Sequence, residues 1–214
     1  MSKKVITKAS DEDEEYVDGF NVSFVPHKTG IYRIEIDKTI STVGQFSNAI
    51  QILQMAKEGD EVEIHLQCPG GSVHATGALL HAMKKCEAPI HIIATGACHS
   101  AATMILLSGD SFELSEDFNA LIHGGSLGSI GNLNEYHAEI AFLPEFINNI
   151  HRRIYEGFLT PEEIENLVKG QDFWLDANGW CERQKARNEY FKAKAEKAKK
   201  PPRKPRKPKS QQSE

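Results

Sequence analysis

No apolar run in this 214-residue sequence approaches the ~20 residues that cross a bilayer; the best candidate, 101–107, is far too short. The N-terminus, MSKKVITK, is basic but has no apolar stretch, so no secretory signal is read there. Cysteine is scarce. Cys68, Cys86, Cys98 and Cys181 show no metal-ligand spacing and fall in strand or helix patterns, as buried free thiols of a reducing compartment do. For Cys98, close to Ser100, an accessible thiol is the alternative to a core one. The expected location is cytoplasmic, the host cytoplasm if the protein is viral. No pair among His65, His74, His81 and His91 makes a metal site, so neither a metal nor a cofactor is expected. Internal repeats are absent. What remains, 40% hydrophobic and 26% charged, suits one globular domain with extensions.

The net charge of −5 hides an asymmetry. Residues 183–209 hold 13 Lys/Arg against 2 Glu, a balance of +11 that leaves −16 for the rest. This stretch begins with a helical pattern and turns into PPRKPRKPK, which has no apolar residue to bury and is expected to be disordered. It suits a polyanion, contacted through phosphates without base readout, or an acidic protein; as a bare solubilising extension it would need neither. Aromatic residues for base stacking are nearly lacking beyond Tyr190 and Phe191, which argues against sequence-specific nucleic-acid recognition. Residues 1–16, with an acidic run at Asp11–Glu15, are expected to be loose as well. The resulting division is a flexible 1–16, a folded 17–182, and a basic tail 183–214.

Between the tails, strand and helix patterns alternate. Strands are predicted at 31–36, 61–66, 90–94, 110–114 and 120–122, and helices at 46–56, 73–83 and 101–107. Repeated units of this length imply an α/β fold with a mainly parallel sheet. Ligands on such sheets gather at the strand C-terminal ends, where Gly70, Ser100 and His123 would lie. From about Asn132 the pattern becomes one long helix, 133–158, interrupted by Pro144 and suited to project and pack outside the protomer. Thr160-Pro-Glu-Glu is a capping box opening a short helix, 161–168, after which Gly170 delivers Asp172 on a loop.

Three of these residues combine into a chemistry. Ser100 follows a glycine turn at the mouth of a small-residue apolar helix, His123 ends an apolar run before Gly124-Gly125, and Asp172 precedes Phe173-Trp174. A serine hydroxyl needs a base, the base an orienting carboxylate, and the oxyanion needs donors. Gly70-Gly71, with inward N–H groups at a strand end, can supply the donors. Two rivals stand close by: His99 as base, beside the serine, and Asp176 as the acid, although it could equally cap Ala177.

The sequence Pro69-Gly-Gly-Ser-Val, then Gly96-x-x-x-Ser100, Leu121-Ile-His123 and Asp172 with Phe173-Trp-Leu-Asp-Ala resembles the ClpP peptidase family over roughly residues 31–181. The resemblance implies Ser100 as nucleophile, His123 as general base, Asp172 as orienting carboxylate, and Gly70 or Gly71 with Ala101 as oxyanion hole. It implies a ClpP/crotonase-type ββα spiral with an inserted handle helix at about 133–158. It also implies protein or peptide substrates, a homo-oligomer of two stacked rings enclosing the sites, an AAA+ unfoldase partner, and no membrane. The chain departs from the family pattern in Cys98-His99 before the serine, Ala101 after it and Gly124-Gly125 after the histidine. No match to the family's axial loop precedes Ile31. Three other roles compete with a chambered serine endopeptidase: a catalytically weak scaffold or adaptor subunit, a phage head-maturation protease with restricted substrates, and, more distantly, a crotonase-type acyl-CoA enzyme.

Overall fold

The computed structural model describes residues 19–25, 30–125 and 132–199. The expectations for residues 1–16 and for the proline-rich end of the tail lie outside the described residues. By its internal contacts the chain divides into Met1–Leu121 and Ile122–Glu214.

The first unit runs β1 (Val22–Val25), β2 (Ile31–Ile36), one 3-10 turn (Val43–Phe46), α1 (Ser47–Met55), β3 (Glu61–Cys68), α2 (Val73–Lys85), β4 (Ile90–His99), α3 (Ala101–Leu106), β5 (Ser111–Leu114) and β6 (Asn119–Ile122), whose last residue opens the second unit. The strand order is β1-β2-β3-β4-β6, with β5 also on β4. Within this unit β1 runs antiparallel to β2, while β2, β3, β4, β5 and β6 pair in parallel. Sequence periodicity predicts this mainly parallel sheet and misses β1. Along β3 every second residue is buried: Val62, Ile64, Leu66 and Cys68. They share one face with Ile34, Ile36, Ile90, Ile92 and Ala94, while Ala49, Leu53, Leu79, Met83 and all of α3 are buried on the helix side. Truncating one such residue, Ile92→Ala for instance, should cost ~2–5 kcal/mol.

β4 is the organising strand. Its pattern predicts an end at Ala94, yet it continues to His99 because its two halves have different neighbours. His91–Ala94 pair with β5, and Ala97–His99 pair with β6. The change of partner falls at Gly96, which has φ +58 and packs its bare Cα against the Gln67 side chain. The result is a strand that carries its last residue to the threshold of α3.

The second unit holds α4 (Leu133–Ile154), α5 (Pro161–Val168), β7 (Phe173–Asp176) and α6 (Ala177–Lys199). Pro144 lies inside α4 without ending it. Proline removes one N–H donor to the preceding turn, and the helix absorbs that loss. It stops at Ile154 rather than Phe158, because Phe158 and Leu159 turn their N–H groups back onto the Tyr155 carbonyl and Gly157 takes φ +76. The capping box is formed as expected: Thr160 accepts from the Glu163 N–H at 3.2 Å and Glu163 from the Thr160 N–H at 2.8 Å. α6 begins at Ala177, six residues before the helix expected at 183, since Trp180 is fully buried with its ring tilted against Phe158. Arg183 grips Glu163 through two bonds of 2.9 and 2.7 Å. Residues 188–198 are exposed, yet Tyr190 still packs against Gly157 and bonds Glu156 at 2.7 Å, and Lys194 pairs with the same carboxylate at 2.6 Å.

Candidate active site

Ser100 joins β4 to α3 with φ 55 and ψ −127, and among the described residues no other non-glycine has a positive φ. A serine held there stores ~1–3 kcal/mol of strain, which the surroundings must over-determine. Its N–H donates to the Leu121 carbonyl at 2.7 Å, and its own carbonyl accepts from the Thr103 N–H at 3.0 Å and the Thr103 hydroxyl at 2.6 Å. β6 and the first turn of α3 thus lock the serine backbone from both sides. α3 is buried along its whole length and cannot swing to relieve it. A serine on a strained strand-to-helix turn is the geometry that presents a nucleophile.

The glycine pair sits against this turn. Gly70 has φ +89 and Gly71 φ +138, values that favour glycine. A Cβ on Gly70 would lie 2.5 Å from the His99 carbonyl oxygen, 2.7 Å from the Ser100 Cβ and 3.0 Å from the Ala101 nitrogen. The Gly70 carbonyl accepts from the Ile40 N–H at 2.8 Å, and the Ile40 carbonyl from the Ser72 N–H at 2.7 Å. Ile40 and Gly71 therefore pair as a parallel bridge. In such a bridge the residues flanking Gly71 bond Ile40, so the N–H of Gly71 itself turns to the opposite edge. The Gly70 N–H is engaged elsewhere, by the Cys68 sulfur at 3.3 Å. Of the two glycines that the motif leaves open as donors, the geometry favours Gly71.

In the second unit His123 is half-buried directly after β6. The next residue, Gly124, packs close to the end of α5, where an added Cβ would meet the Leu167 carbonyl at 3.1 Å. From α4 comes His151, 2% exposed, its ring tilted against Tyr155. Burial, and then the charge of His123, push the His151 pKa down to about 4. Asp172 is exposed on a loop pinned by the Gly170 N–H to Leu167 O at 3.0 Å and the Gln171 N–H to Asn166 O at 2.9 Å. Among the described residues, no hydrogen bond is seen between His123 and Asp172. Ser100, Ala101 and the glycines are brought together in the first unit; His123 and Asp172 belong to the second.

Both rivals have other work. His99 Nε2 bonds Asn119 Oδ1 at 2.7 Å and ties β4 to β6. Asp176 accepts the Gly179 N–H at 2.8 Å and caps α6. Cys98 is fully buried, the core thiol the sequence suggests rather than the accessible alternative, and burial pushes its pKa well up. The motif reading missed Thr103, Ile40, Cys68 and His151. Only Thr103, three residues past the serine, carries a sequence signal, since hydroxyl side chains at that spacing bond back to the helix start.

Comparison with known proteins places the chain in a family. The family model described as Clp protease matches residues 30–182. The ATP-dependent Clp protease proteolytic subunit of Deinococcus radiodurans is 34% identical over 94 residues, covering 41% of this chain and 46% of that protein. The chain thus spans about half the length of the curated relative it matches. The family match takes in every strand end and loop that carries a candidate residue, and by it this α/β chain belongs to the Clp protease family.

Proposed function

We propose that the protein is a serine endopeptidase that cleaves peptide bonds through an acyl-enzyme. The Ser100 hydroxyl adds to the scissile carbonyl while His123 takes its proton and Asp172 orients the imidazole. The N–H groups of Gly71 and Ala101 receive the oxyanion. Collapse of the tetrahedral species breaks the C–N bond, and the amine leaves with the proton from His123. Water, activated by the same histidine, then releases the acyl group and restores the serine. The observation that carries this reading is the strained backbone of Ser100 with Gly70 packed against it. A scaffold subunit has no use for ~1–3 kcal/mol of strain at one serine. The missing bond between His123 and Asp172 is consistent with catalytic hydrogen bonds that tighten only with substrate or on assembly.

The same reading makes the protein a homo-oligomeric ring, stacked through α4 and enclosing its active sites, with an AAA+ unfoldase as feeder. A generic triad in a cell needs such enclosure to spare its surroundings. The exposed, lysine-rich end of α6 and the basic residues after it suit a phosphate-bearing polymer, and binding there should fall steeply with salt. The deciding experiment is labelling with a fluorophosphonate probe. Wild type should label at Ser100 and cleave peptides; Ser100→Ala should do neither while folding normally. A Ser100→Ala protein that cleaves peptides at the wild-type rate overturns the proposal.

A further inference from the structure

The motif treats Cys68 as a core thiol, but its surroundings ask more of it. Cys68 ends β3, two residues before Gly70, and is fully buried. Its Sγ donates to the Lys38 carbonyl at 3.1 Å and accepts from the Gly70 N–H at 3.3 Å. Two residues after Lys38, Ile40 holds the Gly70 carbonyl and the Ser72 N–H from the same side, at 2.8 and 2.7 Å. The glycine turn is therefore gripped at both faces of Gly70 by one short segment, through backbone at Ile40 and through sulfur at Lys38. Burial pushes the Cys68 thiol up, which keeps the proton it donates.

Cys98 supplies the contrast. It is the cross-strand partner of Cys68 on β4, equally buried, and no hydrogen bond runs from its sulfur to the glycine turn among the described residues. Packing alone is served by either thiol. Cys68 links Lys38, in the segment before Ile40, to the turn.

We infer that the Lys38–Ile40 segment clamps the oxyanion turn and that Cys68 is its tie, a positioning residue that sets where the Gly71 N–H points. The inference rests on the serine-peptidase reading and deepens it. An oxyanion donor acts only when aimed at the place where charge develops, and a supporting shell loose by a fraction of an ångström weakens it. Removing the tie leaves the Gly70 N–H and the Lys38 carbonyl to find other partners, and the turn gains freedom beside Ser100. Because the oxyanion forms in the transition state, the loss falls on kcat rather than on KM.

The test compares Cys68→Ala, Cys68→Ser and Cys98→Ala in the full-length protein, with peptide kinetics and thermal unfolding read together. Cys68→Ala should lower kcat roughly tenfold with KM within about twofold. Cys68→Ser, which keeps a donor and an acceptor, should recover most of that loss, and Cys98→Ala should match wild-type kcat. Should Cys68→Ala fail to fold, Cys68→Val, which fills the site but cannot donate, replaces it. A donor-less variant with wild-type kcat overturns the inference, as does a serine variant no better than alanine. Ser100→Ala separates the two levels. If it is inactive while Cys68→Ala is normal, the tie fails alone; if it stays active, the serine-peptidase reading fails with it.

Discussion

Gly70 and Ser100 approach so closely that a Cβ on the glycine would fall 2.7 Å from the Cβ of the serine. The contact explains why the residue before the proposed oxyanion donor must be glycine even though its own N–H is turned to Cys68. Gly70→Ala would add a clash with the His99 carbonyl at 2.5 Å to a φ of +89 that alanine resists. The strain is of the order of 1–3 kcal/mol, which the turn can relieve only by moving off Ser100. Activity should fall by roughly 100-fold, as for loss of an oxyanion donor, while circular dichroism still reports a folded protein. Peptidase activity within twofold of wild type would show that the turn plays no part in the chemistry.

How far this site could be read beforehand depended on the kind of signal. Ser100, the glycine pair and the short helix that follows were visible because a glycine turn before small apolar residues has few other uses. The parallel core was equally plain in the alternation of 61–66. The second half of β4 was hidden, since Thr95-Gly-Ala-Cys-His has no strand period and is held only by its β6 neighbours. β7 is four residues long, too short for periodicity to show. The start of α6 was obscured by Gly179, whose helix-weakening cost is offset by burial of Trp180. Links such as Cys68 to Lys38, thirty residues apart, leave no local pattern at all.

His151 predicts an acid-sensitive second unit. An ordinary histidine titrates near ~6.5, whereas burial and the neighbouring His123 hold His151 at about 4. Between those values the unfolded chain binds a proton that the folded chain refuses, so stability is full above ~6.5 and declines as pH falls toward 4. A shift of this size is worth about 3 kcal/mol at most. Denaturant unfolding at pH 7 and pH 4.5 should show the midpoint drop, and His151→Phe should flatten part of the slope. Equal pH dependence in variant and wild type would mean that the histidine is not the group responsible.

The Arg183–Glu163 pair joins α6 to the start of α5, and α5 in turn pins the loop that carries Asp172. Glu163 is held down to about 2, first by the Arg183 hydrogen bonds, with the Thr160 N–H adding to them. Its contribution is present above the ordinary carboxylate range and is lost as pH falls from there toward 2. Glu163→Gln keeps the cap and removes the charge, for a loss of about 1 kcal/mol given partial exposure. Glu163→Ala removes the charge and also the acceptor of the Thr160 N–H, for about 2 kcal/mol, while its backbone N–H still bonds the Thr160 hydroxyl. Thermal unfolding in that rank order, with peptidase activity falling alongside, is the expected result. An alanine variant no less stable than the glutamine one would remove the capping box from the account.

α4 exposes Phe142 at 63% and Ile140 at 39%, and Phe142 stacks on Phe146 at 5.6 Å. A 22-residue helix with aromatic rings in water leaves a surface that gains from a partner. Ile147 and Ile150, on the same helix, are already half-buried, so charges there would disturb the second unit itself. Phe142→Asp tests the surface without that complication, because the side chain it replaces is exposed. Light scattering should find wild type as an oligomer and the variant near the 23.9 kDa of one chain. If the proposed triad is completed on assembly, the dissociated variant should also lose peptidase activity, because the exposed loop of Asp172 would lose its neighbouring protomer. Wild-type protein that is a monomer at micromolar concentration and yet fully active would rule out both the interface and that dependence.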